Sequence, residues 1–149
     1  MKTQNPTVDF ESKVNEYQEY DFQYTNSGNI TGSVSGGLVG MAKRSSKIKK
    51  VLFGANHKGR DDVDTLKLEL DLKVNGSSIL STKPTIEGNS GEASVATYNS
   101  DAVISGEGLL SEGDRLTLDL DLTRTTPNTE ISDVFVAVIC GKKDYKVSF

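Results

Sequence analysis

The side chains best able to do chemistry in this chain are carboxylates that alternate along two leucine-rich runs. Lys67, Glu69, Asp71 and Lys73 share one side of the first run, and Asp119 and Asp121 share one side of the second. If the two runs lay side by side, a hard cation such as Ca2+ could sit among the acids. Such sites usually draw on loop carbonyls as well, and Lys67 and Lys73 neutralise part of this group, so a solvated face is the expected reading. A glycosidase pair would need one acid held in an apolar pocket, which alternating surface acids do not supply. Nucleophilic catalysis needs a base beside the nucleophile. His57 is the single histidine, no nucleophile elbow surrounds it, and it reads as a strand-end residue. One cysteine, Cys140, excludes an internal disulfide and any Cys-x-x-Cys zinc site. No Gly-rich phosphate loop ends in Lys-Ser or Lys-Thr. The chain is therefore expected to be no enzyme, with no catalytic residue, no metal ligand and no cofactor.

The segments that carry these residues read as strands. In residues 65–74 every second side chain is apolar: Leu66, Leu68, Leu70, Leu72 and Val74. A helix would scatter them around its circumference, and only period 2 gathers them on one face. Asn75-Gly76 then offers the positive φ angles of a type I′ turn, so residues 78–81 should return as a hairpin partner. Leu116, Leu118, Leu120 and Leu122 repeat the construction after a turn at residues 111–114. Burying these leucines and Val74 is worth roughly 1.5–3 kcal/mol each before entropy is subtracted.

Upstream, Phe22 and Tyr24 alternate with Gln23, residues 30–34 form another strand signal, and Gly36-Gly37 marks a break or a bulge. Residues 47–57 form a strand of imperfect alternation, and residues 93–104 a weaker strand pair. Residues 134–139 are apolar at both parities, which fits a strand buried on both sides or one whose outer face meets a partner. About eight strands spaced by turns predict an all-β, antiparallel β-sandwich, with a jelly roll favoured.

A length of 149 residues suits one domain and can bury a core without disulfides. The net charge of −4 argues against direct nucleic-acid binding. No apolar run approaches the roughly 20 residues that span a bilayer, and the first residues lack the apolar stretch of a signal peptide. The expected organisation is an extended N-terminal arm, residues 1–20, and a sandwich domain, residues 21–149. The arm spaces Val8, Phe10, Val14, Tyr17 and Tyr20 among polar residues, and Phe10, Val14 and Tyr17 have helical spacing. It is too short and polar to hold itself and must lie on its own domain or a neighbour. Gains of roughly 1.5–3 kcal/mol per buried apolar side chain are nearly cancelled by ordering costs of about 1–2 kcal/mol per residue. The arm is therefore expected to be loose in the free protein, to order once a neighbour adds contacts, and so to anchor the domain to adjacent protein.

Lys43, Arg44, Lys47, Lys49 and Lys50 form the one dense basic stretch. It suits either an edge-strand guard or an acidic partner surface; without interleaved aromatics it does not suit single-stranded nucleic acid. The candidate partner-binding residues are thus Val8, Phe10, Val14, Tyr17, Tyr20, Lys43, Arg44, Lys47, Val134, Val136 and Val138. Sugar binding would want exposed aromatics; tryptophan is absent and aromatics are 7%, leaving Tyr98 and Tyr145 as the residues to watch.

One stretch resembles a module common in virion proteins of tailed bacteriophages. Its residues are Leu66-Lys67-Leu68-Glu69-Leu70-Asp71-Leu72-Lys73-Val74-Asn75-Gly76, then Ser78-Ile79-Leu80-Ser81-Thr82-Lys83-Pro84-Thr85-Ile86. The likeness continues through Glu112-Gly113-Asp114-Arg115-Leu116-Thr117-Leu118-Asp119-Leu120-Asp121 and closes near Val134. The resemblance covers about half of the chain, residues 63–138. It implies a small jelly-roll-like domain that packs as a homotrimer, found in tail fibres, head fibres and capsid decoration proteins. The short chain lacks the repeats or stalk of a tail fibre, which favours a decoration or cement protein bound to the major capsid protein. A tail-fibre or receptor-binding module that recognises a host glycan is the alternative. The expected location is the virion's capsid surface, after synthesis in the host cytoplasm.

Overall fold

A computed structural model describes residues 20–63 and 65–142. They form β1 (Tyr20–Asn29), β2 (Val34–Met41), β3 (Ser46–His57), β4 (Lys67–Val74), β5 (Ser77–Ser78), β6 (Leu80–Thr82), β7 (Thr85–Glu87), β8 (Thr97–Asn99), β9 (Val103–Ile104), β10 (Leu109–Leu110), β11 (Arg115–Thr123) and β12 (Ser132–Lys142). No helix occurs among the described residues. The fold is all-β and sandwich-like. One sheet runs β1-β12-β3-β10, with β8 also on β3; the other runs β2-β11-β4-β5, with β7 also on β4. The strands named here pair antiparallel. A two-stranded ribbon, β6-β9, lies apart from both sheets.

The alternating leucines do what their period requires. Leu68, Leu70 and Leu72 of β4 and Leu116, Leu118 and Leu120 of β11 are all 0% exposed. Across from them β3 and β12 contribute Val51, Phe53, Ala55, Val134, Val136 and Val138 to the same core. β4 and β11 pair along their full length, with Leu118 opposite Leu72 and Leu120 opposite Leu70.

The hairpin after β4 is shorter than its turn suggests. Asn75 and Gly76 take φ values of 50° and 88°, as a type I′ turn demands. Ser77 and Ser78 then pair with β4, and the Ile79 N–H adds one bond to the Leu72 carbonyl at 3.0 Å. Leu80 leaves to pair with Ile104 of β9 and is buried. The chain rejoins β4 where the Leu70 N–H donates to the Pro84 carbonyl at 3.0 Å, and β7 follows. The weak signal at residues 93–104 likewise resolves into two strands that serve different sheets: β8 pairs with β3, and β9 with β6.

Residues 30–33 connect β1 to β2 rather than forming a strand of their own, with the Ile30 N–H donating to the Ile131 carbonyl at 2.8 Å. Gly36-Gly37 bulges β2 without ending it, and the register against β11 shifts twice. The glycines leave room for aromatic rings from the facing sheet. A Cβ on Gly37 would lie 3.1 Å from Tyr24 Cε2, and one on Gly40 would lie 2.5 Å from Phe22 Cδ1. These two rings therefore close the side of the sandwich where β1 faces β2.

The imperfect alternation of β3 also has a geometric cause. Ile139 pairs with Lys50 and Cys140 with Ile48, so Lys49 is an extra residue in the ladder. Such a β-bulge sets two successive side chains on one face. Ile48 and Val51, three positions apart in the chain, both point inward at 2% exposure.

Candidate functional site

The surface with the most to offer a partner is the outward face of the first sheet. Along β12, Val134, Val136 and Val138 are 1%, 1% and 0% exposed and point into the core. This corrects the expectation that they meet a partner: their parity belongs to the interior. Phe135, Ala137 and Ile139 have the opposite parity and are half-buried on the outside. Ala137 stands opposite Leu52 of β3, and Phe135 opposite Gly54.

Gly54 is what lets the Phe135 ring lie flat across the sheet. A Cβ there would come within 2.4 Å of Phe135 Cζ and 2.8 Å of the Thr97 carbonyl oxygen. On the far side of Gly54 stands Tyr98 of β8, which is 60% exposed. Leu52, Phe135, Ala137, Ile139 and Tyr98 thus form one apolar stripe. On the β1 side it is bordered by the exposed Gln23 and Thr25, opposite Ala137 and Phe135.

The basic stretch sits at one end of this stripe. Lys47 pairs with the outward-parity Gly141, and Lys50 with Ile139. The bulge turns Lys49 to the same side, and its stem lies over Gly141: a Cβ on that glycine would be 2.8 Å from Lys49 Cε. β3 pairs with β12 along its length, but on its other side β10 reaches only Ser46 and Lys47 and β8 only Phe53 to Ala55. Among the described residues no strand pairs with Lys49 and Lys50 on that side, and this is the stretch an edge guard would protect. Lys43 and Arg44 lie exposed in the turn between β2 and β3. Tyr20 opens β1 opposite Cys140. Val8, Phe10, Val14, Tyr17 and Tyr145 lie outside the described residues.

The carboxylates on the outward face of the second sheet do come together. Asp119 pairs with Asp71 and Asp121 with Glu69 on neighbouring strands. Lysines balance two of them. Lys73 Nζ is 2.8 Å from Asp119 Oδ2, and Lys83 Nζ is 3.6 Å from Asp71 Oδ2. The Gly36 N–H donates to Asp119 Oδ1 at 2.9 Å, and the Ser78 hydroxyl donates to Asp71. The Lys73 hydrogen bond, helped by Gly36, holds the Asp119 carboxyl below its ordinary pKa, and Asp119 in turn raises that of Lys73. Among the described residues no group of three or more His, Cys, Asp or Glu side chains is arranged to hold a metal ion.

Two further polar groups are structural. His57 ends β3 with Nδ1 3.7 Å from Asp133 Oδ2, and both side chains are exposed. Asp61, 1% exposed, accepts hydrogen bonds from the Thr65 hydroxyl at 2.6 Å and from the N–H groups of Val63 and Thr65. Those bonds, the Thr65 hydroxyl first, hold its pKa low and fold the loop that leads into Leu66.

No protein-family model matches the chain, and no curated protein matches it. Phe135, Ala137, Ile139 and Leu52 were hidden from sequence reasoning because their neighbours in the chain are equally apolar. The one available signal was local: the three lysines crowd a stretch of β3 where strict alternation would have buried one of them.

Proposed function

We propose that this chain is a structural virion protein of a tailed bacteriophage: a jelly-roll domain that assembles as a homotrimer and decorates the capsid through the major capsid protein. The strand order carries this reading. β1 to β4 and β10 to β12 alternate between the two sheets, while β4 and β5 are neighbours in one; this supports two interlocked Greek keys, an architecture of which viral capsid domains are a common home. The resemblance of residues 63–138 to phage virion modules supports the same reading, as an analogy of fold and motif. The apolar stripe of Leu52, Phe135, Ala137 and Ile139 is the surface best suited to burial against another subunit.

A glycan-binding tip is the second reading, favoured by Tyr98, whose 60% exposure makes it a stacking platform. Light-scattering mass of the purified chain, with and without empty capsids, separates the two. Three times the chain mass of 16.1 kDa, and co-sedimentation with capsids, is the expected result. A monomer at micromolar concentration overturns the trimer. A trimer that ignores capsids but is retained on host-surface glycans moves the assignment to the tail.

A further inference from the structure

Asn75-Gly76 is the one Asn-Gly pair in the sequence, and it stands exposed in the turn between β4 and β5. Such a pair carries a slow reaction of its own. The Gly76 amide nitrogen, after giving its proton to hydroxide, can attack Asn75 Cγ. A C–N bond forms, the Cγ–Nδ2 bond breaks, and Nδ2 takes up a proton from water and leaves as ammonia. Water then opens the cyclic imide at either carbonyl, which leaves aspartate or isoaspartate in place of the asparagine. The sum is one water consumed and one ammonia released. Glycine permits the attack because it carries no side chain beside its nitrogen. A Cβ on Gly76 would meet nothing within 4 Å, so no other part of the fold packs over this side of the turn.

The Asn75 side chain, in contrast, is held at both ends. Its Nδ2 donates to Asp114 Oδ1 at 2.9 Å, and its Oδ1 accepts from the Arg115 N–H at 3.0 Å. The Asn75 N–H also donates to the Arg115 carbonyl at 2.8 Å. Asp114 is itself fixed, because the Ser111 N–H donates to its Oδ2 at 2.8 Å. The Ser111 and Asn75 hydrogen bonds, in that order, hold the Asp114 carboxyl below its ordinary pKa, so at neutral pH it is a carboxylate that only accepts. A flipped amide would set its oxygen against that carboxylate and its NH2 against the Arg115 N–H, so a single orientation satisfies both partners.

We propose that Asn75 is a site of spontaneous deamidation and that Asp114 and Arg115 set its rate, by keeping the side-chain amide from turning its carbon to the Gly76 nitrogen. The product undoes the clasp. A carboxylate at this position has no N–H to offer Asp114 and places a second negative charge across the 2.9 Å now spanned by a hydrogen bond. The β4–β5 turn and the turn that leads into β11 then repel each other, so the reaction loosens this corner as the protein ages. This proposal does not rest on the virion assignment.

Two measurements on the full chain test it. The first is the rate of conversion at Asn75, followed by peptide mapping at neutral pH, with the same chain unfolded in guanidinium as the reference. The folded chain should convert at least about tenfold more slowly, the cost of freeing an amide from a charged acceptor. Asp114→Asn keeps the volume and the Ser111 contact but sets NH2 against NH2. It should recover most of that factor under conditions where circular dichroism shows the variant folded. The second measurement is thermal unfolding. Asn75→Asp should lower the melting midpoint, and adding Asp114→Asn should restore most of the loss, because donor and acceptor have only changed places. Equal conversion rates in the folded and unfolded chain overturn the proposal, as does an Asp114→Asn variant that converts no faster than the wild type. A swapped pair no more stable than Asn75→Asp alone means that the two side chains do not hold each other, and overturns it too. If Asp114→Asn alone does not fold, the folded-against-unfolded comparison and the swapped pair still decide.

Discussion

Replacing Gly54 with alanine tests the geometry of the outward face at its tightest point. The added methyl would lie 2.4 Å from Phe135 Cζ, 2.7 Å from its Cε2 and 2.8 Å from the Thr97 carbonyl oxygen. The ring is half-buried at the surface and can swing outward. The carbonyl cannot move alone, because Thr97 pairs with Ala55 and β8 must retreat with it. Overpacking of this kind costs about 1–3 kcal/mol. At about 2–4 °C per kcal/mol for a chain of this size, the melting midpoint should fall by about 2–12 °C. Urea unfolding of the wild type, Gly54→Ala, Phe135→Ala and the double variant separates the causes. Removing the ring opens the space that the methyl needs, so the double variant should be more stable than additivity allows, with a coupling of about 0.5–3 kcal/mol. The share owed to Thr97 should persist in it. If Gly54→Ala lies within about 0.5 kcal/mol of wild type and the two changes add, the ring does not lie across Gly54 and the stripe described here is wrong.

Three further outcomes follow from the core and the charged face. Leu120→Ala, at a site 0% exposed between the two sheets, should cost about 2–5 kcal/mol by urea titration; a loss under about 1 kcal/mol would mean that the site collapses freely. The lowered pKa values of Asp119 and Asp114 mean that their contribution is complete above the ordinary carboxyl value and is lost as pH falls through the lowered folded values. Stability should therefore decline below about pH 4, and Asp119→Asn should flatten part of that decline; an unchanged pH profile in the variant would show that the Lys73 pairing is not coupled to folding. Treatment with EDTA should leave the melting midpoint unmoved, because Lys73 and Lys83 already neutralise the Asp119–Asp71 pair; a drop of several degrees would reveal a bound cation.

The sequence by itself determined the all-β class, the inward parity of Leu66 to Leu72 and Leu116 to Leu120, and the turn at Asn75-Gly76. Each is a local property: alternation of side chains along an extended backbone, or the φ preference of two adjacent residues. It also showed that His57 and Cys140 have no catalytic set in the nearby chain. Tertiary structure alone decided the rest. Residues 134–139 are apolar at both parities, so no pattern within them says which side faces out; the register against β3 assigns Val134, Val136 and Val138 to the core and Phe135, Ala137 and Ile139 to the surface. The Asp119–Asp71 pairing arises because distant strands meet as neighbours, and no local spacing encodes which strands those are. The hairpin after Asn75-Gly76 was cut short because Leu80 gains burial by pairing away with β9. The three lysines share one face because a single extra residue in β3 resets its alternation, and a bulge is specified by the partner strand it must match, not by the strand that contains it.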